Sequence, residues 1–514
     1  MTIFKKFITI VFIATFIASC SKDDSVETEP TKAQVKITAS NTIVEEPSTN
    51  GTFTITFSKA VNITTKVNLE ISGTAENGTD YQTLITSATV LGNETTTTIS
   101  LTVLEDTLSE DSETITIKLL GTDNENVTVG FPNSVTISIM DNSTAFVLQP
   151  EQAASFMVNP NSTTETVALF YNLIKLTETN FIVGQQDAFN AFYNNNSGDS
   201  DIKKTTGSDP GLLGSDFMFI TDDNNDETSS NWFYQQEEII IADAKEAYDK
   251  GMVNVFAWHL REPYEGDEFY TNSMTEFQKN NAFRSILPGG ENHEYYKSKL
   301  EKVASVANNL IGNDGNKIPF IFRPFHEFDG DWFWWGASYC TPQEYRTVWQ
   351  FTVEYLRDTL NVDNILFAFS PDNNFLSEAE YLARYPGDSY VDVIGMDNYG
   401  DFNNQGQTGL ERANEKLQII SKLAQEKVKV SAFTETGYAV TPGQNNPISG
   451  FFSSNLYNAM TNNNVKVSFV MFWNNSENSY YTPVPGTSSA SDFIDFVSKP
   501  EVLLQNELPN MYQF

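Results

Sequence analysis

Two glutamates stand out for the residues around them. Glu327 lies in the run Arg323-Pro324-Phe325-His326-Glu327-Phe328-Asp329-Gly330-Asp331-Trp332-Phe333-Trp334-Trp335-Gly336. Glu435 closes the apolar run Ser431-Ala432-Phe433-Thr434-Glu435-Thr436-Gly437. A carboxyl beside tryptophans suits a sugar: the apolar face of a pyranose stacks on indole while the carboxyl moves protons at the glycosidic oxygen. A paired carboxylate across a barrel mouth, roughly 5 Å away, is what double displacement with retention of configuration requires. Some of these rings are expected to pack helix against barrel, Trp334 and Phe333 first. His326 adjoins one glutamate and His259 ends a strand, so both are expected at the site. His293, on a helix, is expected to be a packing residue. No His-x-His or His-x3-His spacing occurs, which argues against a zinc site.

Elements able to position these groups follow from the periodicity beyond Glu165. Apolar runs at Phe181–Gly184, Phe217–Ile220, Val253–Trp258, Ile318–Phe322, Ile365–Phe369, Val391–Gly395, Val428–Phe433 and Val467–Phe472 alternate with helical segments. Strand-helix alternation over residues 165–514 predicts a (β/α)8 TIM barrel. Thr341-Pro342-Gln343-Glu344 has the order of a capping box, which predicts a helix from Pro342 to about Leu360. That confines Phe325 to Cys340 to the loop after the fourth strand, on the face where barrel enzymes hold their active sites.

The front of the chain reads differently. Residues 32–143 alternate in short Thr/Val/Ile runs such as Thr52-Phe53-Thr54-Ile55-Thr56-Phe57, which predicts an antiparallel β-sandwich. All seven Trp and all three His lie beyond residue 230, so the chemistry is expected there. Residues 144–164, with Pro150 and Pro160 and no clear period, read as a linker.

Lys5, Lys6, an apolar run from Phe7 to Ala18 and then Ser19-Cys20 have the order of a secretory signal over residues 1–19. Ile17-Ala18-Ser19-Cys20 resembles a bacterial lipobox, which implies lipidation of Cys20 and a tether over residues 20–31. Lys22, Asp23 and Asp24 resemble the export tag of bacterial surface lipoproteins. The expected location is the outer membrane or cell surface, with the membrane touched through the lipid alone. With Cys20 so used, Cys340 has no disulfide partner. The net charge of -36 repels phosphate backbones and excludes nucleic acid as a natural partner. A neutral polysaccharide met by a monomer is the expectation.

Residues 166–496 resemble glycoside hydrolase family 26, whose best-known members are endo-β-1,4-mannanases. The resemblance rests on Gly184-Gln185-Gln186-Asp187, Trp258-His259, Leu287-Pro288-Gly289-Gly290, the Arg323–Gly336 segment, Tyr385-Pro386-Gly387-Asp388 through Tyr399, Thr434-Glu435-Thr436-Gly437 and Phe472-Trp473. It implies Glu327 as acid/base and Glu435 as nucleophile of a retaining endo-enzyme acting on mannan, glucomannan or galactomannan, with no cofactor for catalysis. Tyr399 would bond the nucleophile and Asp397 brace the site. His259, Arg323 and His326 would contact sugar or orient the glutamates, and Trp332 and Trp473 would be stacking platforms. Asn474 departs from the arginine many members carry after the strand-eight tryptophan, which leaves the distal sugar site open. The same mechanism on β-1,3-xylan or mixed-linkage glucan is the enzymatic alternative. A non-catalytic glycan-binding lipoprotein is the alternative outside catalysis. In the front domain, Ala75-Glu76-Asn77-Gly78-Thr79-Asp80-Tyr81, Val103-Leu104-Glu105-Asp106 and Ile137-Ser138-Ile139-Met140-Asp141 resemble a Calx-β sandwich. That resemblance implies calcium at Glu45, Asp80, Asp106, Asp111 and Asp141, or a solvated acidic rim on a spacer.

Overall fold

The computed structural model describes residues 32–46, 50–104, 112–140 and 146–514. The chain divides into two compact units, residues 1–146 and 147–514. Cys20 and the tether lie outside the described residues.

Among its described residues the first unit has nine strands: β1 (Ala33–Ala39), β2 (Ile43–Glu45), β3 (Gly51–Phe57), β4 (Thr65–Gly73), β5 (Ser87–Val90), β6 (Thr96–Leu101), β7 (Glu113–Thr122), β8 (Val127–Val129) and β9 (Ser134–Met140). They form two sheets, in the orders β6-β3-β1-β8 and β2-β9-β7-β4-β5. Alternation does the work here. Val35 and Ile37 of β1, Phe53 and Ile55 of β3, and Ile115 and Ile117 of β7 face inward into one core, while Lys36, Thr54 and Thr116 between them face outward. Of the five residues expected to hold calcium, Asp106, Asp111 and Asp141 lie outside the described residues. Glu45 is exposed on β2. Asp80 is buried, and one carboxylate oxygen accepts the Glu76 backbone N–H at 2.5 Å, so it closes a turn. Among the described residues no three His, Cys, Asp or Glu side chains gather as metal ligands would.

The second unit is the barrel. Its strands are β10 (Phe181–Gln186), β11 (Leu212–Asp216), β12 (Val253–Trp258), β13 (Phe320–Pro324), β14 (Ile365–Phe369), β15 (Val393–Asp397), β16 (Val430–Thr436) and β17 (Phe469–Phe472). Each pairs in parallel with the next, and β10 pairs with both β11 and β17, which closes the ring. A short β18 (Val502–Leu503) adds to β10 from outside. Every residue of these eight strands is buried, because the ring is filled with side chains inside and covered by helices outside. The capping box at Thr341 forms as expected: the Thr341 hydroxyl accepts Glu344 N–H at 3.2 Å, and the Glu344 carboxylate accepts Thr341 N–H at 2.7 Å. The helix runs Pro342–Glu354 and ends in a wide turn, Tyr355–Thr359.

Two expectations are corrected. The second barrel strand is Leu212–Asp216 and not Phe217–Ile220, since the Asp216 carboxylate accepts Met218 N–H at 2.7 Å and turns the chain out of the sheet. Nor are residues 144–164 a free linker throughout. From Val147 onward they belong to the barrel unit, with Leu148, Ala153, Met157 and Val158 buried in its core and a short helix at Ala153–Phe156. The clasp is polar. The fully buried Asp392 accepts Val158 N–H at 2.7 Å and Phe367 N–H at 2.9 Å, and Lys429 donates to the Phe156 carbonyl at 2.5 Å.

Asp392→Ala strands two buried N–H groups at once. At about 1–3 kcal/mol each, the expected loss is about 2–6 kcal/mol from the barrel's unfolding transition, read by calorimetry on the full chain. An unchanged transition would remove Asp392 as the clasp.

Candidate active site

The site forms where β13, β15 and β16 end. Arg323 is the penultimate residue of β13, Asp397 the last of β15 and Glu435 the penultimate of β16. In regular register Asp397 would face Thr434. The pairing shifts by one residue after Met396, so Asp397 faces Glu435 instead. This extra residue re-aims the carboxylate, and Thr434 spends its hydroxyl on Asp397 at 2.6 Å.

Arg323 has no exposed surface. One guanidinium nitrogen donates to both Asp397 oxygens at 2.6 and 2.8 Å and to the Ser370 hydroxyl at 3.1 Å; the other donates to Glu435 at 2.5 Å. Tyr399 donates to the second Glu435 oxygen at 2.8 Å. Glu435 is therefore held by a donor on each oxygen and can present an ionised carboxylate in fixed orientation.

Glu327 stands on a different support. Phe325 and Glu327 both adopt left-handed backbone, φ +51° and +52°, a conformation side chains seldom take. What imposes it is a set of donors to three successive carbonyls. Tyr345 Oη donates to the Phe325 carbonyl at 3.1 Å, Trp335 Nε1 to that of His326 at 2.7 Å and Gly330 N to that of Glu327 at 3.2 Å. Glu327 N–H in turn donates to Ser370 O at 2.9 Å, which ties the segment to the loop after β14. The aromatic density around Glu327 thus has a division of labour. Trp334 and Trp335 are fully buried and Phe333 nearly so, while Trp332 keeps 37% of its surface exposed and donates Nε1 to the Glu327 carboxyl at 2.6 Å. Burial, and next the charge of Glu435, push the Glu327 carboxyl well above the usual range, so it keeps its proton where an ordinary glutamate loses it.

The histidines sit beside this pair. His259 Nδ1 lies 2.5 Å from the Asp216 carboxylate, its ring meets that of His326 edge-on with centroids 4.7 Å apart, and the Trp473 ring lies 6.0 Å away. Burial pushes Asp216 up, but the charge and hydrogen bonds of His259 outweigh it and hold it below the usual value. His326 is pushed well below the ordinary imidazole value by burial, then by His259 and Arg323, and its Nδ1 has no partner in the protein. Asn474 donates to the Asp187 carboxylate at 3.0 Å. His293 is remote in role: its Nδ1 meets the Ile286 carbonyl and its ring packs on Phe351.

All nine barrel residues singled out in the sequence are therefore brought to one mouth. Four others were missed there. Asp216 fixes His259 and was hidden by the misplaced second strand. Asp187, at φ +51° after β10, holds Asn474. Tyr270 stacks on Phe333 at 5.3 Å, and its hydroxyl is raised first by burial and then by the charges of Glu327 and Glu435. Tyr481 lies 6.0 Å from Tyr399 and is raised first by burial and then by the charge of Glu435. No local signal marks these two tyrosines, because loop pairings far apart in sequence bring them in.

A closed parallel barrel with one protonated and one clamped carboxyl at its C-terminal mouth, flanked by a partly exposed indole, is the arrangement of a glycoside hydrolase. The chain belongs to glycosyl hydrolase family 26, whose model matches residues 158–489. A Calx-beta domain model matches residues 29–143. Among solved structures, GH26C from Muricauda sp. MAR_2010_75 is 65% identical with a TM-score of 0.71 over 72% of this chain and 98% of that one. A Cellulomonas fimi endo-β-1,4-mannanase double mutant is 31% identical with a TM-score of 0.64, covering 69% and 79%. A mannan endo-1,4-β-mannosidase of Bifidobacterium adolescentis is 29% identical over 360 residues, 68% of this chain and 35% of that protein. The match thus spans about a third of that relative's length.

His326 is expected to stay neutral throughout mildly acidic and neutral pH. In an NMR titration of the imidazoles its resonances should hold still between about pH 5.5 and 8. Movement through an ordinary histidine midpoint would contradict the burial argument.

Proposed function

We propose that the protein is a retaining endo-β-1,4-mannanase that hydrolyses mannan, glucomannan or galactomannan. The observation that carries the mechanism is the asymmetry between the two glutamates: Glu327 is driven to keep its proton, while Glu435 is bonded by Arg323 and Tyr399. The substrate reading is supported by relatives named as mannan endo-1,4-β-mannosidases.

In the first step Glu327 gives its proton to the glycosidic oxygen as Glu435 attacks the anomeric carbon. The bond to the leaving sugar breaks and an ester to Glu435 forms. The negative charge of Glu435 is thereby consumed, which removes part of what raised Glu327, so the residual Glu327 carboxylate is stable when it must next accept a proton. Water then attacks the ester, passing its proton to Glu327 and releasing Glu435. Arg323 and Tyr399 keep the nucleophile from swinging away. Trp332 does the same for the acid/base and offers an indole face to the sugar on the leaving side. His326, neutral, offers Nδ1 to a sugar hydroxyl, and Trp473 backs the sugar in the cleavage site.

Purified full-length protein should release reducing ends from glucomannan or galactomannan. Glu435→Ala should lower kcat by at least about a thousandfold, with the fold unchanged by circular dichroism. Because Glu327 must be protonated to start, and its value is raised, kcat/KM should fall on the alkaline side at a pH well above that of a free glutamate. Glu327→Ala should abolish that limb. Wild-type turnover of β-1,3-xylan or mixed-linkage glucan in place of mannan would move the assignment to the alternative substrates. Retention on a polysaccharide gel without turnover would sink the enzyme reading.

We also propose that Cys20 carries a lipid and holds the enzyme at the cell surface, a reading supported by the Ile17-Ala18-Ser19-Cys20 sequence. Cys20→Ala should move the protein from the membrane fraction to the soluble fraction of producing cells. Equal membrane retention of both forms would overturn it.

A further inference from the structure

Three loops at the barrel mouth, those following β10, β16 and β17, enclose a groove of 740 Å³ beside the site described above. Its wall includes Tyr193, Asn194 and Asn195 from the first loop, Gln444 and Asn445 from the second and Tyr480 from the third. Not one of its lining residues is charged. In a chain of net charge -36 that sets the groove apart, because it offers no carboxylate to hold a cation directly. What it leaves is carboxamides, each both donor and acceptor, and phenol rings. These complement the hydroxyls and the C–H faces of an uncharged sugar. The volume is in the range of ligand sites.

The groove is preformed. Val440 and Tyr480 exchange backbone hydrogen bonds at 2.9 and 3.0 Å, so the second and third loops are joined. Asn194 N–H donates to the Ser476 carbonyl at 3.3 Å, and the Tyr193 ring meets that of Tyr480 edge-on at 5.1 Å, which joins the first loop to the third. Tyr480 carries the independent signal. It is 2% exposed, and its hydroxyl has no partner in the protein. A buried hydroxyl with nothing to bond is costly, whereas phenylalanine would pack there without that cost. The neighbouring Tyr481 meets Tyr399 and feels the charge of Glu435, so the same loop that forms the groove wall also borders the cleavage site.

We infer that this groove is a second glycan-binding site, which holds a stretch of the neutral polysaccharide at a distance from the bond being cut. The inference rests on the proposed function only for the identity of the polymer. Tyr480 and the amides of Gln444 and Asn445 bond sugar hydroxyls there, and they contribute to the affinity for long chains without touching the chemistry.

The test uses the full chain carrying Glu435→Gln, so that nothing is cut, run in native gels containing glucomannan, galactomannan, xylan or mixed-linkage glucan. Tyr480→Phe, and separately the exposed pair Gln444→Ala with Asn445→Ala, should each weaken retention by about threefold to tenfold, the loss of one or two hydrogen bonds. Tyr480→Phe should also raise the melting temperature, since it removes an unpaired buried hydroxyl, so weaker binding is not misfolding. With Glu435 restored, both variants should keep wild-type kcat on a short activated manno-oligosaccharide and show a raised KM on the polymer alone. Retention unchanged in both variants, or no retention of the parent on any gel, would overturn the groove. Loss of retention on a glycan other than mannan would leave the groove standing and overturn the mannan reading; normal mannan turnover with unchanged retention would do the reverse.

Discussion

One buried guanidinium sets the terms for everything around it. Arg323, with no exposed surface, serves Asp397 with one nitrogen and Glu435 with the other, while Glu327 stands close enough to feel both carboxylates. One cation cannot neutralise three carboxylates away from water, and an uncompensated buried charge is the most expensive group a protein can hold. Protonation relieves part of the excess: burial raises the Asp397 carboxyl too, against the pull of Arg323, and raises Glu327 without a cation in contact. Asp397 and Glu435 have direct contact with the cation, and Glu327 has only the indole N–H of Trp332. Glu327 keeps its proton first because it is buried and next because it feels the charges of Glu435 and Asp397, the two carboxylates that Arg323 contacts. The same shortage makes the state reversible, because esterification of Glu435 would remove one of the charges that hold the proton on its partner.

The backbone is shaped to the same end. A carboxyl three residues past the end of β13 reaches over the mouth only because Phe325 and Glu327 take left-handed conformations, and those persist only where the surroundings over-determine them. Tyr345, on the capped helix Pro342–Glu354, and Trp335 supply the donors that do so. The capping box at Thr341 therefore has a catalytic consequence at one remove: it fixes the start of the helix that carries the hydroxyl pinning the acid/base segment. Several aromatic residues of that run act as scaffold for the few that are exposed.

How much of this was legible in the sequence depended on range. The barrel followed from apolar runs separated by helical periods, and seven of its eight strands lie where those runs are. The exception is instructive. Phe217-Met218-Phe219-Ile220 is more apolar than Leu212-Leu213-Gly214-Ser215-Asp216, but Asp216 bonds forward to Met218 N–H and ends the strand, and a polar side chain at a strand end outweighs hydropathy. Losing that strand also hid the partner of His259. The glutamates were legible because each follows a buried run directly. Tyr270 and Tyr481 were not, since Tyr270 is placed by a bridge to Phe333, sixty-odd residues away, and Tyr481 by contact with Tyr399. The stretch from Val147 was misread because its few apolar residues have no period of their own and gain a role only against the barrel wall and Asp392.

The loop after β17 shows how one short segment divides its tasks. Trp473 neighbours His259, Asn474 is held by Asp187, and Asn475 donates to Asp201 and to the Thr482 carbonyl, which fixes the loop to the one after β10. Beyond that anchor, adjacent tyrosines serve different places: Tyr481 the nucleophile's surroundings, Tyr480 the neutral groove. Buried polar atoms without a protein partner are rare because they are costly, so where they occur matters. Whereas Asn254 Oδ1 and Asn364 Oδ1, also without a partner, lie at the starts of barrel strands, His326 Nδ1, beside the acid/base, and Tyr480 Oη, in the groove wall, are both of this kind and lie at the mouth. Folding alone would favour an apolar atom at either position. A sugar hydroxyl at each would complete the hydrogen bonding that the polypeptide leaves open, which ties the stability sacrificed at these two positions to the same neutral, hydroxyl-rich polymer.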